Sequence, residues 1–228
     1  MRFGVVRFPG SCDEVDALRA CRRFADADLL WYEDRDLSGV DAVVIPGGFS
    51  YGDYLRVGAI AGLAPIMEAI TRFAREGGPV LGICNGFQVL CEARLLPGAL
   101  LPNVGLRFLC REVELGVVSA DSPFTRACEP GRSLRVPVKH FTGRFHAPPD
   151  ELERLEAHGQ IVLRYREGQN PNGSVGNVAG VSNRAGNVLG LMPHPEHAVD
   201  PRTGSADGAC LFASVVEHVE SGVLAAAA

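Results

Sequence analysis

Short apolar runs alternate with amphipathic stretches along the first third of the chain, the pattern of a parallel sheet covered by helices. Residues 2–8 read as a first strand. Residues 13–24 carry Val15, Leu18, Ala20, Cys21 and Phe24 near helical spacing, and Ser11 stands where an N-cap is wanted. Strands follow at 29–32 and 41–45, then a long helix over 58–76, then a strand at 80–83. The middle of the chain changes character. Residues 107–120, 133–138 and 160–166 are β-rich and joined by turns containing proline and glycine, which predicts an antiparallel extension of the sheet. Residues 178–182 and 187–191 form a hairpin-like pair about a turn at 183–186. A last helix is expected over 207–220, with a frayed tail at 225–228. No repeat, linker or low-complexity block divides the 228 residues, so one domain spanning 1–228 is expected.

Composition narrows the classes. A net charge of −5 and a pI near 5.7 leave no basic footprint for nucleic acid. No segment approaches the length of a membrane span, and no secretory leader pattern follows Met1. Seven cysteines, an odd number without repeated short spacing, argue against a disulfide framework and against zinc, and so for a reducing, cytoplasmic setting. Lys139 is the only lysine, and its neighbours are Val138 and His140, so no phosphate-cradling Walker loop exists. The arginine excess reads as codon bias.

The chemistry is concentrated at Cys84. The run Val80, Leu81, Gly82, Ile83 breaks into Asn85, Gly86, Phe87, Gln88, which is the pattern of a nucleophile elbow. Glycines relieve crowding where a strand turns sharply into a helix, and the amides after the turn point back towards the nucleophile. A thiol is mostly protonated at neutral pH and needs a base or a helix N-terminus to become a thiolate. The sequence Met192, Pro193, His194, Pro195, Glu196 supplies a base beside a carboxylate that can fix its tautomer, 110 positions downstream of an expected exposed Cys84. Pro46, Gly47, Gly48, Phe49, Ser50 follow the strand at 41–45 and so sit at the same sheet edge as Cys84, with amides open to a developing oxyanion. His140, His146, His158, His197 and His218 lack such context and read as ordinary polar residues.

The segments GICNGFQ at 82–88 and MPHPE at 192–196 resemble those of the class I, triad-type glutamine amidotransferases, whose cysteine attacks the side-chain amide of glutamine. PGGFSYGDYLR at 46–56 and NPNGS at 170–174 are similar to a branch of that family whose members are glutaminase subunits of a purine-biosynthetic synthetase, and the resemblance runs from Met1 through 204–208. It implies an α/β, flavodoxin-like fold with a mostly parallel central sheet. It also implies Cys84 as nucleophile, His194 as general base, Glu196 as the acid that orients it, the Gly48 and Asn85 amides as oxyanion donors, and Gln88 as a holder of substrate. No metal or other cofactor is expected in this chain. ATP and magnesium would sit on a larger synthetase partner that aminates formylglycinamide ribonucleotide, with a second small subunit in the complex. One stretch departs from the family pattern: Phe141 and Thr142 stand where Gly and Glu would follow the histidine, which touches partner or glutamine contacts and leaves the triad alone.

Three other readings compete. Another class I glutaminase subunit would share the triad but lack the 46–56 match. A related cysteine hydrolase would carry a histidine directly after the nucleophile, where this chain has Asn85. A non-catalytic binding module of the same fold would be free to lose a triad member, and none is lost.

Overall fold

The computed structural model describes residues 1–129 and 131–226, with side chains to Gly222. In chain order the elements are β1 (Arg2–Arg7), α1 (Glu14–Cys21), β2 (Asp26–Trp31), β3 (Ala42–Ile45), α2 (Pro65–Arg75), β4 (Val80–Ile83), α3 (Asn85–Glu92), β5 (Ala99–Pro102), β6 (Leu109–Val117), β7 (Ser133–His140), β8 (Thr142–His146), α4 (Pro149–Ala157), β9 (Ile161–Tyr165), β10 (Val178–Ser182), β11 (Val188–Leu191) and α5 (Ala209–Ala226). Nine strands form one sheet in the order β2-β1-β3-β4-β11-β10-β9-β6-β7, and β5 and β8 form a separate pair. Strands β2, β1, β3, β4 and β11 run parallel to one another. From β11 onward every pairing is antiparallel. The expected mixed sheet, including the hairpin of β10 and β11, is therefore present.

Burial follows strand direction. Strands β3, β4 and β11 are buried at every residue, because helices cover both faces of a parallel sheet. Strand β7 alternates buried and partly exposed positions, with Leu134, Val136, Val138 and His140 facing inward. Three local expectations are corrected. The helix expected over 58–76 begins only at Pro65, since a residue before proline is pushed out of the α region and Ala64 is extended at ψ 147°. A short 3-10 turn, Ala61–Leu63, precedes it. Ser11 does not cap α1. Its hydroxyl accepts from the Phe8 amide at 3.0 Å, and Asp13 occupies the cap position without a side-chain bond there.

The third correction concerns cysteine. Cys128 and Cys210, 82 positions apart, are joined by a disulfide between the loop after β6 and the start of α5. Spacing along the chain could not show it, because pairing depends on spatial approach. Of the tail expected at 225–228, Ala225 and Ala226 lie in the backbone of α5, and Ala227 and Ala228 lie outside the described residues.

Candidate active site

Three adjacent parallel strands end at the site. Strand β4 runs into Cys84, its neighbour β3 into Gly47 and Gly48, and its other neighbour β11 towards His194. The register pairs Ile83 with Leu191, and the Cys84 amide donates to the Leu191 carbonyl at 2.8 Å, so the chain that leads to His194 leaves the sheet beside Cys84. The turn at Cys84 is tight. Cys84 itself has φ 51°, ψ −103°, a conformation that non-glycine residues rarely adopt and that clusters at functional sites. The turn also brings Gly86 against β3, where a Cβ would overlap the Ile45 carbonyl oxygen. Contrary to the expectation of an exposed thiol, Cys84 is 5% exposed and lies at the floor of a cavity of about 220 Å³.

His194 is wholly buried. Its Nδ1 lies 2.6 Å from Glu196 Oε1, itself inaccessible, and its backbone amide donates to Pro137 of β7 at 2.8 Å. The Nε2 atom is buried without a hydrogen-bond partner among the described residues. Burial alone would lower the pKa of His194. The charges of Glu196 and Cys84 outweigh it and hold the imidazole protonated above its ordinary range.

The glycine turn is anchored from the far side. The Gly47 carbonyl accepts from both Cys12 and Asp13 amides at 3.2 Å, and the peptide is trans, so the Gly48 N–H points away from α1. Neither the Gly48 nor the Asn85 amide has a hydrogen-bond partner among the described residues, and Asn85 N lies in the first turn of α3, where amides lack helical acceptors. The Asn85 side chain joins the pieces: Oδ1 accepts from Ser50 N at 3.1 Å, and Nδ2 donates to Gln88 Oε1 at 2.8 Å. Gln88 in turn donates to the Thr142 carbonyl at 2.5 Å. All six residues singled out by sequence therefore meet at one sheet edge.

The structure adds residues that the sequence reading passed over. Asp13 lies almost wholly buried beside the triad. Its carboxylate is paired with Lys139 Nζ, accepts from His197 Nε2 at 3.2 Å and lies 3.8 Å from His194 Nδ1. Burial would raise the pKa of Asp13, but these partners hold it well below the carboxylate range. Burial likewise opposes the charge on Lys139, and Asp13 overcomes it, so the only lysine of the chain is a charged part of the cavity wall. His140 also lines the cavity. Burial and the His194 charge depress its pKa to about 4, and its Nδ1 lies 3.1 Å from Asn103 Oδ1. His197 and His140 are thus hydrogen-bonded polar residues, as the plain reading had them, but they stand beside the site, which the sequence did not show. One signal was available for Asp13: it follows the carboxyl end of β1, the edge where open α/β sheets bind ligands.

Asp13, His194, Glu196 and His197 bring ligand-type atoms within 4.8 Å of one another, the donor set of a divalent cation. Their short contacts are hydrogen bonds within the group, and Lys139 already supplies a positive charge. The departure at Phe141 and Thr142 has a physical account as well. This corner meets the site through backbone oxygens, Thr142 O to Gln88 and Lys139 O at 3.8 Å from Cys84 Sγ, which side-chain changes leave in place. Asn172, within the segment 170–174, braces the corner by donating to the Gly143 carbonyl at 2.7 Å.

The arrangement at this edge suits a cysteine that attacks an amide with help from a buried histidine, the chemistry of the triad-type glutamine amidotransferases. The comparisons agree: the family model for the CobB/CobQ-like glutamine amidotransferase domain matches residues 1–207. The phosphoribosylformylglycinamidine synthase subunit PurQ of Rubrobacter xylanophilus is 58% identical over 95% of this chain and 98% of its own length. That of Mycolicibacterium paratuberculosis is 57% identical over 97% and 99%. The solved structure of PurLQS from Thermotoga maritima contains a chain 41% identical, with a TM-score of 0.88, over 96% of this chain and 98% of that one. The chain belongs to the glutamine amidotransferase family and, within it, to the PurQ glutaminase subunits of phosphoribosylformylglycinamidine synthase. Among the described residues, no helix is long and apolar enough to cross a membrane.

Proposed function

We propose that Cys84, His194 and Glu196 hydrolyse glutamine through a γ-glutamyl thioester. The Cys84 sulfur attacks the amide carbon, and the oxygen that gains charge is held by the Gly48 and Asn85 amides, with a lost donor of this kind worth about 10²–10³ in rate. His194, kept protonated by its neighbours, gives its proton to the departing ammonia. It then takes a proton from water as that water attacks the thioester, releasing glutamate and restoring the thiolate. Glu196 holds the ring by accepting from Nδ1, and Gln88 positions the substrate. The observation that carries this reading is that Cys84 and His194 leave adjacent strand ends while the outer nitrogen of His194 rests on a buried carboxylate.

The domain is a single glutaminase with no cofactor or metal of its own, and glutamine is its substrate. Its product ammonia passes to a synthetase subunit that carries ATP and magnesium and aminates formylglycinamide ribonucleotide, with a second small subunit in the assembly and no nucleic acid or membrane as partner. The Thermotoga maritima relative supports this, being one part of a solved PurLQS structure. The setting is the cytoplasm, where purine precursors are made.

The test compares two cysteines. Cys84→Ser should abolish glutamine-dependent turnover and labelling by a glutamine-analogue electrophile without loss of fold. Cys91→Ser should be nearly silent, since burial pushes the Cys91 thiol far up. Equal turnover in wild type and Cys84→Ser, or an adduct mapped to another cysteine, would remove the assignment.

A further inference from the structure

The cavity above Cys84 contains a second carboxylate, and its surroundings differ from those of Asp13. Asp53 lines the same cavity as Cys84, Gln88 and Lys139. No cation pairs with it among the described residues. Lys139 is taken by Asp13, and Arg56, three positions on, turns away to make a two-pronged ion pair with Glu92, Nε at 2.9 Å and Nη2 at 2.5 Å. Among the described residues its side-chain partner is the neutral Asn85 amide, whose Nδ2 donates weakly to Asp53 Oδ1 at 3.5 Å and more closely to Gln88 Oε1 at 2.8 Å.

The backbone that holds Asp53 there is strained. Tyr51, Asp53 and Leu55 have φ of 52°, 56° and 70°, in the left-handed region that disfavours side chains, while Tyr54 and Leu55 project to solvent. Such strain persists where the surrounding structure imposes it and is concentrated at functional sites. Burial without a counter-charge raises the pKa of Asp53 to about 6. A half-buried carboxylate with no counter-charge costs free energy when ionised, and a cation brought by a ligand offsets that cost.

Glutamine brings such a cation. Its side-chain amide must reach Cys84, beside Asn85 and Gln88, and its α-ammonium stands at the other end of a short chain. Asn85 links the two ends, since it follows the nucleophile and its amide reaches towards both Gln88 and Asp53. We infer that Asp53 receives the α-ammonium of glutamine, so that the site accepts the free amino acid and refuses amides with no cationic group at that position. The inference rests on the glutaminase reading of this cavity and adds to it the residue that sets substrate choice. A site built to bond a polar group of its substrate rejects an analogue lacking that group far more strongly than an apolar pocket can.

The experiment uses the chain assembled with its synthetase, ATP and formylglycinamide ribonucleotide, and follows ammonia release from glutamine and from glutaramate. Glutaramate keeps the amide and the carboxylate and replaces the ammonium by hydrogen. Wild type should prefer glutamine in kcat/KM by roughly 10²-fold or more. Asp53→Asn should lose most of that preference, mainly through a raised KM for glutamine, while turnover of glutaramate changes by less than about threefold. Asp53→Ser, read by the protection that each amide gives Cys84 against iodoacetamide, repeats the comparison without requiring turnover. An unchanged preference in both variants, or an equal fall for both amides, overturns the inference and assigns Asp53 to loop structure or to synthetase docking. Turnover that survives Cys84→Ser would instead sink the glutaminase reading itself, so the two failures are distinguishable.

Discussion

The two halves of the nine-stranded sheet serve the site by different means. In the parallel half, β3, β4 and β11 are buried on both faces and deliver chemistry at their ends, through backbone: the amides of Gly48 and Asn85, and a cysteine fixed by its own dihedral angles. In the antiparallel half, β7 keeps an alternating pattern and contributes a wall, with Lys139 and His140 lining the cavity and Pro137 holding the His194 amide. The strand ends are set by short-range sterics, and the wall is set by charge pairing across the fold. The first kind of feature should fail abruptly when crowded, whereas the second should fail by degrees and respond to pH.

Gly86→Ala attacks the parallel half at its closest approach. The added Cβ meets a β3 carbonyl that belongs to the sheet and cannot swing aside, so we expect a loss of about 3 kcal/mol or more in urea unfolding, with Cys84 labelling lost as well. Retention of full stability would show that the elbow is less tightly seated than the geometry says.

Asp13→Asn probes the charge pairing that ties the two halves together. It keeps the shape while removing the charge that Lys139 and His197 share, and kcat/KM for glutamine should fall roughly 10–100-fold, about 1.4–2.7 kcal/mol. The pH profile should shift too, because the stabilised imidazolium of His194 loses a nearby negative charge. A wild-type profile with unchanged kcat would assign Asp13 to packing alone.

At neutral pH the smallest effect belongs to the wall. The imidazole of His140 protonates near pH 6.5 when unfolded and only near pH 4 when folded. The unfolded state therefore takes up the extra proton between those values, and stability falls as pH falls through that window. His140→Gln removes this contribution, so relative to wild type the variant should gain about 2 kcal/mol at pH 5 over its difference at pH 7.5. Parallel unfolding curves at both pH values would mean that His140 is protonated in the folded chain.

Much of the site was legible because its central piece is local. The sequence 82–88 carries its own strand, glycines and helix start, so the turn is set by residues adjacent along the chain. The helix boundary at Pro65 was equally local, since the restriction acts on the preceding residue, yet periodicity alone carried the expected helix too far upstream. The β5 and β8 pair and helix α4 escaped notice: β5 is a four-residue strand with little alternation, and α4 buries only Leu155 and so shows little apolar stripe.

By itself the sequence marked Cys84 as the candidate nucleophile, His194 with Glu196 as its candidate base and acid, and the alternation of strands and helices that puts the ends of β3 and β4 at one edge; that β11 joins them in parallel came from the structure. The features marked by sequence depend on backbone sterics and apolar periodicity, which act over a few residues. Only the tertiary structure decided that Asp13 meets Lys139 and His197 across 126 and 184 positions, that Cys128 meets Cys210, and that Asp53 stands in the cavity with no cation paired to it among the described residues. A charge or a thiol does not encode its partner along the chain. It acquires one where folding brings two segments together and excludes water, and there the energy of leaving a group unpaired becomes large enough to matter.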